Sequence, residues 1–186
     1  MIFLMFLKVF LCILCFKKSI LEEISVLRNR SCEFRSAIIL LKTQIEQSKD
    51  EIKKYVLESK NQKILTAFNT YHTSLCQYDN RTFPHKEIDH FEKGKINKHS
   101  ISRLLVSIVA FEGKVFVIKA SQDQFVDVIK RSYTENGSLD LNDCLRFMNE
   151  LNKTCKEKIT EIMILTGKII YRLREKKMQS KYFTLF

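Results

Sequence analysis

Between Ile20 and about Ser59 the apolar positions step by four and three: Ile24, Leu27, Ser31, Phe34, Ile38, Leu41, Ile45, Ser48, Ile52 and Tyr55. This is a heptad seam, and neither glycine nor proline interrupts it, so the pattern predicts one long helix with its charges on the other faces. Two serines on the seam weaken it as a dimeric zipper and favour a helix packed inside a bundle. Ile64, Leu65, Phe68 and Tyr71 carry the apolar stripe on into a second, short helix.

The stretch CQYDNRTFPHKEI, residues 76–88, then stops the pattern. Pro84 has no amide hydrogen and disfavours helix at Phe83, so the chain turns or extends there. Asp79 and Asn80 are good turn formers, and Phe83 is expected to plug the core while its polar neighbours stay wet. Helical spacing resumes at Ser100, read as an N-cap, with Ile101, Leu104, Leu105, Ile108 and Val109 on one face. Gly113 interrupts before Val115–Ile118, a run that periodicity alone leaves open between strand and buried helix. Phe125, Val126, Val128 and Ile129 form another short face. Asn136-Gly137 reads as a turn, with Ser138 capping a helix that carries Leu141, Cys144, Leu145, Met148 and Leu151. A last helix is expected from about Lys158 to Met178, with Ile162, Leu165, Ile169, Ile170 and Leu173 inward.

Composition agrees with this reading. Four glycines and one proline in 186 residues suit long helices with short connections and argue against sandwiches, barrels and βαβ folds. The expected class is therefore all-α: an up-down bundle of five or six helices, forming one domain over residues 19–186.

Three features point to export. MIFLMFLKVFLCILCF followed by Lys17 and Lys18 fits the apolar region of a signal peptide within residues 1–18, cut near Cys15. Four Asn-x-Ser/Thr sequons occur, at Asn29, Asn80, Asn136 and Asn152, where about one is expected by chance. Removing the leader leaves Cys32, Cys76, Cys144 and Cys155, an even set that suggests two disulfides in an exported domain. The expected location is extracellular.

No active-site pattern emerges. The glycines are unclustered, so no phosphate-cradling loop or dinucleotide fingerprint is present in the sequence, and no cofactor is expected. His85 and His90 lie near Cys76, but a structural zinc site wants four ligands, and they read as exposed histidines. Glu22 and Glu23 belong to a charged helical face. The net charge of +11 permits attraction to sulfated glycans. RLREKKMQSKYF, residues 172–183, is the most basic cluster, yet it also reads as the ordinary positive end of a helix, and no specific nucleic-acid partner is expected.

CQYDNRTFPHKEI resembles the loop after the first helix of the type I interferons, where a cysteine precedes an Asp and a Phe/Pro/Glu run. GKIIYRLREKKMQSKYF resembles their aromatic-rich late helix. The likeness covers roughly residues 76–183. It departs where the family has a cysteine and tryptophan after the basic run, because Lys181 and Phe183 stand there, and where the family continues into a final helix. The resemblance implies a secreted cytokine, monomeric or weakly dimeric, that bridges two cell-surface receptor chains. It would use Tyr78, Asp79, Arg81 and Phe83 of the loop with Arg172 and Arg174 of the late helix. It also implies a disulfide from Cys32 to Cys144 or Cys155, the remaining late cysteine being left for Cys76. The alternative expectation is a membrane-tethered or intracellular coiled-coil scaffold that pairs through residues 20–56.

Overall fold

The computed structural model describes residues 2–47, 50, 62–79, 81–136 and 139–182; of residues 2–10, 135, 136, 139–141, 151 and 180–182 it describes the backbone alone. Among the described residues it is an all-α bundle of five helices: α1 (Ile2–Gln47), α2 (Gln62–Cys76), α3 (His85–Lys93), α4 (Lys98–Asn136) and α5 (Leu139–Tyr182). No strand occurs among them. The helix that contains the expected leader runs unbroken into the seam, and no described helix is long and apolar enough to cross a membrane.

Two helices are longer than the pattern suggested. Gly113 does not end a helix: α4 passes through it, so Val115–Ile118 is helical. The two helices expected over 138–151 and 158–178 are one, α5. A lone glycine inside a helix costs only about 1 kcal/mol relative to alanine, which flanking apolar burial readily offsets. The start of α4 also shifts from the expected Ser100. Asn97 is the cap: the Ser100 amide donates to its Oδ1 at 2.8 Å, and the Asn97 amide donates to Ser100 Oγ at 3.0 Å. This reciprocal pair satisfies two otherwise unpaired donors. Helix α3 gives no periodic signal of its own in the sequence. Its nine residues bury only Ile88 and Phe91, too little periodicity to see, and it stops at Gly94, whose amide donates to the His90 carbonyl at 2.9 Å.

The chain divides into two compact units. The first takes residues 1–31, 83–112 and 162–186. Its core is aliphatic and aromatic: Ile20, Ile24 and Leu27 of α1, Ile88 and Phe91 of α3, Ile101, Leu104, Ile108 and Phe111 of α4, and Ile162, Ile169 and Leu173 of α5. Phe83 packs edge-on against Phe111, ring centroids 5.3 Å apart, and so fills the core as expected. Polar ties sit at the margin, Arg28 to Asp89 at 3.4 Å and the Lys17 ammonium to the Gly94 carbonyl at 3.1 Å, while one reaches inside: the fully buried Thr166 donates to Glu112 at 2.8 Å.

The second unit takes residues 32–82 and 113–161. Phe34, Ile38, Leu41 and Ile45 of α1 are buried there, with Ile64, Ala67 and Leu75 of α2, Val115, Ile118, Phe125 and Ile129 of α4, and Met148 and Ile159 of α5. The α1 seam from Ile24 to Ile45 therefore faces inward, Ser31 included. Over the described residues it is occupied by the fold and not offered to a partner, which corrects the scaffold expectation for that face; Ser48, Ile52 and Tyr55 lie outside the described residues. This interior contains a more extended polar layer than the single Thr166–Glu112 contact of the first unit. Tyr71 donates to Asn152 Oδ1 at 2.6 Å, and Ser74 and Ser121 share a 2.8 Å hydrogen bond, all four residues being buried.

Candidate binding surface

The loop expected to meet a receptor is built for the fold instead. Asp79 organises its turn: its carboxylate accepts from the Arg81 amide at 2.8 Å, its carbonyl accepts from the Thr82 amide at 3.1 Å, and its own amide donates to Thr82 Oγ1 at 3.1 Å. Such Asx geometry replaces backbone hydrogen bonding in a tight reversal. The turn drives Tyr78 inward, where its ring meets Phe34 edge-on at 5.0 Å. Tyr78 and Phe83, expected as anchors, are both buried, Tyr78 in the second unit against Phe34 and Phe83 in the first against Phe111. Of the four loop residues, Arg81 and Asp79 are exposed.

The late basic helix is different. Arg172 is held within the first unit, donating to Ser19 Oγ and lying 3.3 Å from Glu23 Oε1. Lys176 sits over the Phe16 ring, 5.4 Å from its centroid. Arg174, by contrast, is exposed on a face that also carries Ile164, Tyr171 and Met178, each more than half exposed. These three residues recur every seventh position, so on a helix they form one ridge. The buried stripe Ile162, Thr166, Ile169 and Leu173 lies on the opposite side. The ridge is therefore turned fully away from the core, with Lys168 and Glu175 along one edge and Gly167 and Arg174 along the other. Tyrosine and arginine are the side chains that most often carry interface energy, and methionine adapts to varied partners. Pattern reading caught the basic residues but missed the ridge, because it scored only the inward stripe.

In the second unit a cavity of about 310 Å³ is lined by Ser74, Gln77, Tyr78, Thr82, Lys114, Val117 and Ile118. It offers hydroxyls and one ammonium group over an apolar wall. Among the described residues no cluster of three or more histidine, cysteine or acidic side chains could hold a metal ion. His85 packs edge-on against Phe83 at 4.7 Å, and His90 is exposed.

All six cysteines are free thiols. The expected bridges from Cys32 to Cys144 or Cys155, and onward to Cys76, are not formed. Cys144 and Cys155 are core residues of α5, while Cys32 and Cys76 stand on exposed helix faces. A disulfide needs the two Cβ vectors to converge, which an outward and an inward side chain do not do. Burial pushes the Cys144 thiol up to about 11 and the Cys155 thiol up to about 12, so both stay protonated at neutral pH. Burial, and then the neighbouring Cys155, raises the Tyr71 hydroxyl as well.

The sequons separate in the same way. Asn29 is exposed. Asn152 is buried, and its Nδ2, the atom a glycan would occupy, is enclosed without a hydrogen-bond partner. A glycan there is incompatible with this packing, so Asn152 is withdrawn as a glycosylation site. Asn80 and the Asn136 side chain lie outside the described residues.

No family model, curated protein or solved structure matches the chain.

Proposed function

We propose that the protein is a non-enzymatic binding module that docks another protein on the outward ridge of α5, acting as a secreted, interferon-like ligand of a cell-surface receptor. The observation that carries this reading is the ridge itself: Ile164, Tyr171 and Met178 stand more than half exposed, opposite the core and beside Arg174. Lone exposed apolar residues are ordinary, but three in register beside an arginine form the apolar centre and charged rim of a docking patch. The receptor contribution first assigned to the 78–83 loop moves to this helix, with Arg81 and Asp79 as the loop residues still able to touch a partner. The basic surface would also attract sulfated glycans at the cell surface.

Purified protein applied to cells of its own species should bind saturably and raise antiviral transcripts. Tyr171→Ala should weaken that binding at least tenfold while leaving helicity unchanged. Absence of saturable binding sinks the proposal.

A second reading, an intracellular or membrane-tethered scaffold, is favoured by the six free thiols, since reducing compartments keep cysteines unpaired. The mass of the expressed product before and after glycan removal separates the two. Export with a cleaved leader and a glycan at Asn29 supports the ligand, and an uncleaved, unmodified chain supports the scaffold.

A further inference from the structure

Within the first unit, the side of α1 turned away from the buried Ile20, Ile24 and Leu27 changes character over one turn. From Leu11 to Phe16 every exposed residue is a leucine or a cysteine: Leu11, Cys12, Leu14 and Cys15. Leu11 is 51% exposed and Leu14 45%. From Lys18 to Ser31 the exposed residues are Lys18, Glu22, Ser25, Val26 and Asn29, of which Val26 alone is apolar. Cys12 and Cys15 stand three residues apart on one helix, a spacing that makes their side chains neighbours. The same helix begins at Ile2, so the apolar run IFLMFLKVF leads directly into this pair.

Cations gather where the character changes. The Lys17 ammonium donates to the Gly94 carbonyl at 3.1 Å, which brings Lys93 and Lys95, both exposed, to this level of α1. From α5, Lys176 lies over Phe16, 5.4 Å from its ring centroid. With Lys18, three elements of the first unit thus set basic side chains around residues 16–18, and Glu92 and Glu175 are the acids beside them in the chain. The excess belongs to the whole unit. It holds sixteen basic and seven acidic residues, against sixteen and fourteen in the second unit, which leaves +9 and +2. Exposed leucines ringed by lysines suit a lipid surface with anionic headgroups, whereas a sulfated glycan has no use for the leucines. Ile2 to Phe16 is about 22 Å of helix, short of the roughly 30 Å hydrocarbon core. The segment therefore enters one leaflet and needs a further hold.

We propose that Cys12 and Cys15 are S-acylation sites that anchor α1 in an anionic lipid leaflet, with Lys18, Lys95 and Lys176 at headgroup level. This rests on the second reading above, in which the leader is retained, and it supplies that reading's tether. At each site the cysteine sulfur attacks the carbonyl carbon of a long-chain fatty acyl thioester. A carbon–sulfur bond to the cysteine forms, the bond to the donor's sulfur breaks, and the cysteine proton leaves with the departing thiol, so nothing is oxidised or reduced. Cysteines beside an apolar or amphipathic membrane helix are where this modification occurs. One acyl chain gives marginal, reversible membrane binding, and a second, or a polybasic patch, makes it stable. The other thiols lack this setting. Cys144 and Cys155 are buried, Cys32 lies one turn from Arg28, Asn29, Arg35 and Ser36, and Cys76 faces His72 at 3.9 Å.

The full chain, expressed in cells fed an alkyne-tagged palmitate, tests the proposal by label, membrane fraction and intact mass. The expected chain is uncleaved, carries label that neutral hydroxylamine removes, and sediments with membranes. Cys12→Ser or Cys15→Ser alone should halve the label and lower the membrane-bound fraction severalfold. The double variant should lose the label altogether and fall at least tenfold in membrane binding, while Cys32→Ser with Cys76→Ser changes neither. Lys18→Glu combined with Lys95→Glu and Lys176→Glu should keep the label and weaken binding of the purified acylated chain to phosphatidylserine-containing vesicles, but not to pure phosphatidylcholine vesicles. Equal binding to both kinds of vesicle by the unsubstituted chain overturns the headgroup role of the lysines. An uncleaved, membrane-bound chain without label overturns the acylation and leaves the tethered reading standing, as does label that survives in the Cys12, Cys15 double variant. A cleaved chain in the medium overturns both.

Discussion

The two units bury comparable helices but fill them differently. The first is closed by volume, with Phe83, Phe91 and Phe111 among branched aliphatics and its charged pairs left at the margin. The second threads Tyr71, Asn152, Ser74 and Ser121 through its interior, beside two buried thiols. The difference teaches where each is vulnerable. A volume-filled core fails when atoms are removed, because the walls relax only partly. A polar layer fails when one partner is removed, because the other is left buried and unpaired.

The largest expected effect tests the first half of that contrast. Phe111→Ala deletes a ring that is 1% exposed and packs on Phe83. It should cost about 3–5 kcal/mol in urea unfolding. A cost under about 1 kcal/mol would mean that this core collapses freely and is not volume-limited.

Alkali should strike the second unit. Cys144 and Cys155 have ordinary values of 9.0 and are raised by burial to about 11 and about 12, and Tyr71 moves upward too. For a group raised on folding, the stability is fully present below the unfolded value and is lost as pH climbs through the folded one. Stability should thus hold to about pH 9 and fall by a few kcal/mol between about pH 9 and 12. Replacing both cysteines by alanine should flatten much of that decline. The same thiols should resist an aromatic disulfide reagent until the chain is denatured, whereas Cys32 and Cys76 react at once. A native chain with no reactive thiol would instead restore the bridges that the sequence suggested.

Tyr71→Phe keeps the ring against Phe125, 6.1 Å away, but strips the hydroxyl from Asn152. The expected loss is about 1–3 kcal/mol, because Asn152 Oδ1 then joins its Nδ2 in having no partner. Tyr71→Phe combined with Asn152→Leu should recover most of it. Recovery would show that the layer costs stability only when half satisfied, and failure would show that Asn152 is held by more than the tyrosine.

What the sequence could reveal follows from how each feature is encoded. The α1 seam was legible because every inward residue from Ile24 to Ile45 repeats the same spacing. Helix continuity through Gly113 was not, since a single glycine looks alike inside a helix and at its end. Tyr78 and Phe83 sit in a loop, where no period tells an inward ring from an outward one. Asn152 illustrates a different limit: a sequon is a local pattern, while its burial is decided by Tyr71, 81 positions away in the chain. The outward ridge of α5 was visible as letters but meaningless until the inward face was known.

The smallest effect is a gain, and it joins stability to binding. Gly167 lies in α5 between Ile164 and Tyr171, and a Cβ there would meet nothing within 4 Å. Gly167→Ala should therefore stabilise the first unit by about 0.5–1 kcal/mol, by restricting the unfolded chain and favouring helix. The core has nothing to lose from the change, so any loss must come from outside the fold. A partner seated closely on the ridge would meet the new methyl group, and its affinity should drop several-fold while the melting temperature rises. Opposite signs for stability and binding in one variant would place the partner on this face. A stabilised variant that binds as well as the parent would move the receptor contact elsewhere and leave the ridge as plain solvent-facing surface.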